Sequence, residues 1–114
     1  MRPVKILRKG ESLEYKHELI LPDYLADWDV WDYWERERFD HMESKLTGED
    51  ILYDIGTEHG WTAAIYAKWV KHICLFEPEE KMWGSIRAIW ETNRDDVPAD
   101  FSELVEIGCG IGRG

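Results

Sequence analysis

At 114 residues, with 44% hydrophobic, 33% charged and 13% aromatic side chains, the chain has ample apolar material for one folded domain, and disorder over most of its length is excluded. Its net charge of −10 and isoelectric point near 4.8 argue against general binding to nucleic acid, which rests on clustered Lys and Arg. The two cysteines, Cys74 and Cys109, are too few for a disulfide framework, and no apolar run reaches the roughly 18 residues of a membrane span, so a reducing, cytoplasmic setting without a membrane partner is expected.

Residues 1–48 form the first region. Val4-Lys5-Ile6-Leu7, a break at Lys9-Gly10, and then Leu13-Glu14-Tyr15 and Leu19-Ile20-Leu21 read as extended structure, either an ordered arm or one or two short strands. Pro22-Asp23 opens a new pattern. From Trp28 to Leu46 large apolar residues fall at 28, 31, 39, 42 and 46, a helical stripe interrupted by Glu35 and stopped by Gly48. Trp28, Trp31, Tyr33 and Trp34 alternate with Asp27, Asp29 and Asp32, so an aromatic-rich amphipathic helix is expected here. Its rings serve first for packing and second as interface anchors.

Residues 49–114 change to a β-α-β-α-β pattern. Ile51 to Ile55 are a short apolar strand of the kind buried on both faces of a parallel sheet. Gly60 opens a helix running roughly to Val70, with small residues Ala63, Ala64 and Ala67 on its apolar side so that it can lie close to the sheet. Ile73 to Phe76 give a second strand, and Pro78-Glu79-Glu80 start a helix to about Asn93, with proline and the acids suited to a first turn. After the loop at 93–98, Leu104 to Ile107 read as a third strand, followed by the glycine run Gly108 to Gly114. The fold class is therefore α/β: a Rossmann-like half-domain with a three-stranded parallel sheet and flanking helices, preceded by the extended arm and aromatic helix.

The first strand delivers Asp54 into the turn Gly56-Thr57-Glu58-His59-Gly60, and 23 residues later (77 minus 54) the second strand ends on Glu77. A glycine turn lets backbone approach a nucleotide-type ligand, and a carboxylate after the second strand can accept both hydroxyls of a ribose. These residues also resemble a family. Tyr53-Asp54-Ile55-Gly56-Thr57-Glu58-His59-Gly60 and Leu75-Phe76-Glu77-Pro78 are similar to the D-h-G-A-x-x-G and F-E-P signatures of FkbM-type S-adenosylmethionine-dependent methyltransferases. The helix ending Ile89-Trp90-Glu91-Thr92-Asn93 looks like that family's helix before its third strand, and the likeness covers residues 49–107. It implies S-adenosylmethionine as cofactor, bound by Asp54, Gly56, Thr57, Glu58, Gly60 and Glu77, with Asp54, Gly56 and Gly60 along its methionine side and Glu77 on its ribose. It also implies methyl transfer to an oxygen or other nucleophile of a small molecule or saccharide. The family commonly has asparagine where Glu58 stands; here that carboxylate would pair with the cofactor's ammonium.

The resemblance assigns no catalytic residue, because the part of the fold that normally carries the catalytic groups and acceptor pocket is not legible, and the chain is expected to represent the N-terminal half of such a domain or a truncated relative of it. His59 lies in the cofactor turn but reads first as a hydrogen-bonding turn residue. His17, His41 and His72 show no metal-ligand spacing with either cysteine, so no metal site is expected. Val105 to Gly112 imitate a first methyltransferase motif, E-x-G-x-G-x-G, but stand where a third strand and its exit loop belong. Two other functions fit the composition: a non-catalytic association module and an acidic inhibitor of a basic partner. With no fourth strand, Ile51 to Ile55 would expose an apolar edge, so a homo-oligomer through that edge or the tryptophan-rich helix is expected.

Overall fold

The computed structural model describes residues 1–57, 59–93 and 104–105, and the chain divides into two compact units, Met1–Ser44 and Lys45–Gly114. In the first, β1 (Arg2–Arg8) and β2 (Tyr15–Leu21) form an antiparallel hairpin, turned through Gly10 at φ 59°. Alternation decides its inner face: Val4, Ile6, His17, Leu19 and Leu21 are buried while Lys5, Lys16 and Glu18 face water. A short helix, α1 (Asp23–Ala26), follows Pro22 and buries Leu25.

The expected aromatic helix from Trp28 is corrected. Helix α2 spans only Arg36–Lys45; residues 28–30 are irregular and 31–35 form turns. Aspartate and aromatic residues are poor helix formers, and the carbonyls a helix would use internally are taken by β1. Leu7 donates its N–H to the Trp31 carbonyl at 2.7 Å and Arg8 to that of Asp32 at 2.9 Å, and the Arg36 guanidinium donates to the carbonyls of Arg8 and Asp32. Leu7 adopts φ 62° to do so, at a cost of about 1–2 kcal/mol. Complete burial of its side chain offsets that with about 1.5–3 kcal/mol. Glu35, at φ 48°, marks the break before α2. The rings of 28–34 do not share one role: Trp31 is buried, donating its indole N–H to the Leu25 carbonyl, whereas Trp28 stacks on it and stays exposed, as does Tyr33.

In the second unit β3 (Ile51–Ile55) pairs in parallel with β4 (His72–Phe76), from Ile51 opposite His72 to Ile55 opposite Phe76. Between them lie α3 (Trp61–Tyr66) and a 3-10 turn (Ala67–Trp69) that shortens the expected helix; α4 (Glu80–Asn93) follows β4. Ala63, Ala64 and Ala67 are fully buried, as their small size predicts. Beyond β4, two residues, β5 (Leu104–Val105), pair in parallel with Leu75 and Phe76. The remainder of the expected third strand and the glycine run lie outside the described residues, so the full-length ladder is that of β3 with β4.

The two crossovers run in one direction along the sheet, and right-handed connections then place both helices on one face. Burial agrees. Ile73 and Leu75 are buried and Leu52 and Asp54 half-buried on one side; on the other, Ile51, Tyr53 and Ile55 are 61%, 62% and 56% exposed. The expectation that Ile51 to Ile55 are buried on both faces is thus corrected: nothing in the described chain covers the second face, where Tyr53 meets Phe76 edge-on at 5.7 Å. No helix among the described residues is long and apolar enough to cross a membrane.

The Tyr15 hydroxyl donates to Asp32 Oδ1 at 2.8 Å, and that bond, with partial desolvation and the carboxylate's charge, raises the phenol above its ordinary 10.0 against the pull of Arg8. An acid held protonated in the fold contributes stability that is complete below its unfolded pKa and is lost as pH climbs through the raised folded one. Chemical denaturation at neutral and strongly alkaline pH is therefore expected to show a smaller alkaline loss of stability in Tyr15→Phe than in the unmodified chain.

Candidate functional site

Parallel pairing brings the carboxyl ends of β3 and β4 to the same edge of the sheet, the place where open α/β sheets receive ligands. Asp54 is the penultimate residue of β3, half-buried and paired with Leu75. The chain then turns at Gly56 with φ 77°, and the N–H groups of Gly56 and Thr57 both donate to the Phe76 carbonyl, at 2.8 and 3.2 Å. The loop after β3 is thereby tied to the last residue of β4. The Gly60 N–H closes the turn onto the Thr57 carbonyl at 2.9 Å, and Gly60, at φ 81°, sits at the N-terminus of α3.

Glu77 follows β4 directly and is only 5% exposed. Its Oε2 accepts the Glu79 N–H at 2.9 Å, which aims the carboxylate along the chain's exit from the sheet. Asp54 at the end of β3 and Gly56, Thr57, Gly60 and Glu77 on two adjoining loops thus stand at one end of one sheet; Glu58 lies outside the described residues. His59 is half-buried, with Nδ1 3.2 Å from Ser85 Oγ. This agrees with a hydrogen-bonding turn residue. Among the described residues no group of three or more His, Cys, Asp or Glu is placed to hold a metal.

Two tryptophans that bond to these loops carried no sequence signal of their own. The Trp83 indole N–H donates to the Glu77 carbonyl at 2.7 Å and that of Trp90 to the Gly60 carbonyl at 2.8 Å. Their spacing in α4 marked them only as part of an apolar stripe. Asn93, fully buried, donates through Nδ2 to the Ile89 carbonyl at 2.7 Å, one turn back in the same helix.

The site has room where a cofactor's backbone contacts would fall. A Cβ on Gly56 would meet nothing within 4 Å, and the Thr57 hydroxyl oxygen is buried with no hydrogen-bond partner among the described residues. An orphaned buried oxygen beside an open glycine fits a polar ligand that bonds to it. A shallow cavity of about 510 Å³ lined by Leu46, Thr47, Gly48, Lys68, Trp69, Val70 and Lys71 lies at the amino ends of the strands, away from this chemistry.

No protein-family model matches the chain, and no curated protein matches it. Among solved structures it is similar to an rRNA methylase from Streptococcus thermophilus, with a TM-score of 0.53 and 20% identity over 64% of this chain and 38% of that one. At that identity the likeness shows the fold: an α/β arrangement resembling that of a methyltransferase. The chain spans 38% of the length of the structure it matches. Neither finding bears on the FkbM family.

The two glycines of the turn differ in a measurable way. Alanine at Gly56 meets only the strain of a left-handed φ, about 1 kcal/mol. At Gly60 its Cβ would also stand 2.9 Å from Trp90 Nε1 and 3.2 Å from Ile86 Cγ2, both buried. Urea unfolding is expected to place Gly60→Ala about 2–4 kcal/mol below the unmodified chain and clearly below Gly56→Ala.

Proposed function

We propose that the second unit binds S-adenosylmethionine at the carboxyl ends of β3 and β4, as the N-terminal half of an FkbM-like methyltransferase domain with a three-stranded parallel sheet. The carrying observation is the position of Glu77: a carboxylate almost withdrawn from water, placed immediately after β4 and beside a glycine turn bonded to the same strand end. A carboxylate at the end of the second strand is placed to accept hydrogen bonds from the two hydroxyls of a ribose. Gly56 leaves room for the methionine portion and Gly60 shapes the turn beside it, the Thr57 hydroxyl supplies a polar contact, and Asp54 and Glu58 are assigned to the methionine end by the resemblance alone. The bound cofactor supplies an activated methyl group on a sulfonium.

The FkbM assignment rests on the motifs around Asp54 and Glu77 alone, and so does the acceptor, an oxygen or other nucleophile of a small molecule or saccharide. The rRNA of the structural neighbour is not carried over, because a net charge of −10 opposes a phosphate backbone. A reducing, cytoplasmic setting belongs to the same proposal and rests on the small number of cysteines.

Calorimetric titration with S-adenosylmethionine tests it. Saturable binding is expected, weakened about 30-fold by Glu77→Ala through loss of charge-assisted bonds worth about 2 kcal/mol, and abolished by Gly56→Val. An absence of heat with the unmodified chain overturns the proposal.

A second reading, association between copies of the chain, is favoured by the uncovered sheet face. Ile51, Tyr53 and Ile55 form a continuous exposed apolar row, and among the described residues β3 pairs on one side only. Such rows and edges are ordinarily covered. Light scattering at tens of micromolar is expected to give the mass of two or more chains, reduced to one in Ile55→Lys; a single-chain mass for the unmodified protein ends this reading.

A further inference from the structure

Helix α4 reaches back to both loops of the candidate site. Trp83 and Trp90 are seven residues apart, two turns along one face. Each donates its indole N–H to a backbone carbonyl in a loop: Trp83 to Glu77 at 2.7 Å, Trp90 to Gly60 at 2.8 Å. Between them Ser85 stands 3.2 Å from His59 Nδ1, and buried Ile86 packs over Gly60. An indole has a single donor and no acceptor, so each ring can hold its carbonyl in one geometry only. The consequences differ. Fixing the Glu77 carbonyl fixes the peptide plane between the carboxylate and the Glu79 N–H that it binds. Fixing the Gly60 carbonyl, which also accepts the Ala64 N–H, fixes the start of α3.

We propose that Trp83 and Trp90 are positioning residues, Trp83 for the Glu77 carboxylate and Trp90 for the Gly60 turn, so that α4 sets the spacing between the two halves of the ligand site. The nature of the ligand rests on the S-adenosylmethionine reading; the positioning does not. Substitution by phenylalanine keeps an aromatic ring and removes the N–H.

Two measurements on the full chain decide it. In the absence of ligand, amide hydrogen exchange by NMR is expected to speed up about tenfold at Glu79 in Trp83→Phe, and at Gly60 and Ala64 in Trp90→Phe, with the Ile89 and Trp90 amides of α4 unchanged in Trp83→Phe. Unchanged exchange at Glu79, or a uniform increase along α4, overturns the proposal. Both indole N–H signals of the unmodified chain are expected to exchange slowly. Exchange at the rate of a solvated indole overturns it even if a variant fails to fold. With ligand, Trp83→Phe is expected to weaken S-adenosylhomocysteine about tenfold and leave its 2′,3′-dideoxy counterpart unaffected, since only the diol meets Glu77, whereas Trp90→Phe weakens both alike. Equal losses for both ligands in Trp83→Phe overturn the assignment of Trp83. If the unmodified chain binds neither compound, the cofactor reading fails and the exchange rates alone decide the positioning.

Discussion

The carbonyl of Phe76 is the fixed point of the second unit. It is the last acceptor of β4, and by receiving the N–H groups of Gly56 and Thr57 it stops the loop after β3 from leaving the sheet on its own path. Without that pair of bonds the glycine turn and Glu77 would belong to two independent loops. With it, they share one anchor at the end of one ladder. The parallel register of β3 on β4 is the precondition, because only a parallel pair brings both carboxyl ends, and hence both loops, to the same edge.

The helices depend on the same constraint in a different way. Both crossovers place α3 and α4 over one face, where alanines let α3 lie close and where Ile86 and Trp90 fill the space beside Gly60. Gly60 is consequently doubly constrained: its left-handed φ suits glycine, and no room remains for a side chain. Gly56 is constrained only by its conformation, and the space above it is open. The difference separates a glycine required by packing from one that leaves a surface accessible.

Much of this was legible in the sequence because it rests on local chemistry. The strands read at Ile51–Ile55 and Ile73–Phe76, the helix ending at Asn93, and the glycine turn between Asp54 and Gly60 follow from apolar runs and turn residues that tertiary contacts did not override, although that helix begins at Glu80 and leaves Pro78 and Glu79 outside it. The segment 28–35 did not follow. Its apolar spacing imitates a helix, yet its carbonyls are claimed by Leu7 and Arg8, residues more than 20 positions away that no local pattern could link to it. The exposure of Ile51, Tyr53 and Ile55 was hidden for a related reason: composition states that a strand can be buried on both faces, not whether anything is present to bury it. Trp83 and Trp90 were visible as hydrophobic spacing, while their donor role depends on where two loop carbonyls stand in space. Glu58 and the glycine run Gly108 to Gly114 fall outside the described residues.

The positive φ of Leu7 has a consequence for the hairpin of the first unit. By turning its N–H, and that of Arg8, away from β2 and onto the carbonyls of Trp31 and Asp32, β1 gives up its outer row of donors over its last two residues. A strand whose outer donors are already taken offers no template there for a passing chain. The local distortion therefore guards the end of β1 against edge-to-edge aggregation, a protection that β3, paired on one side among the described residues and regular throughout, does not have.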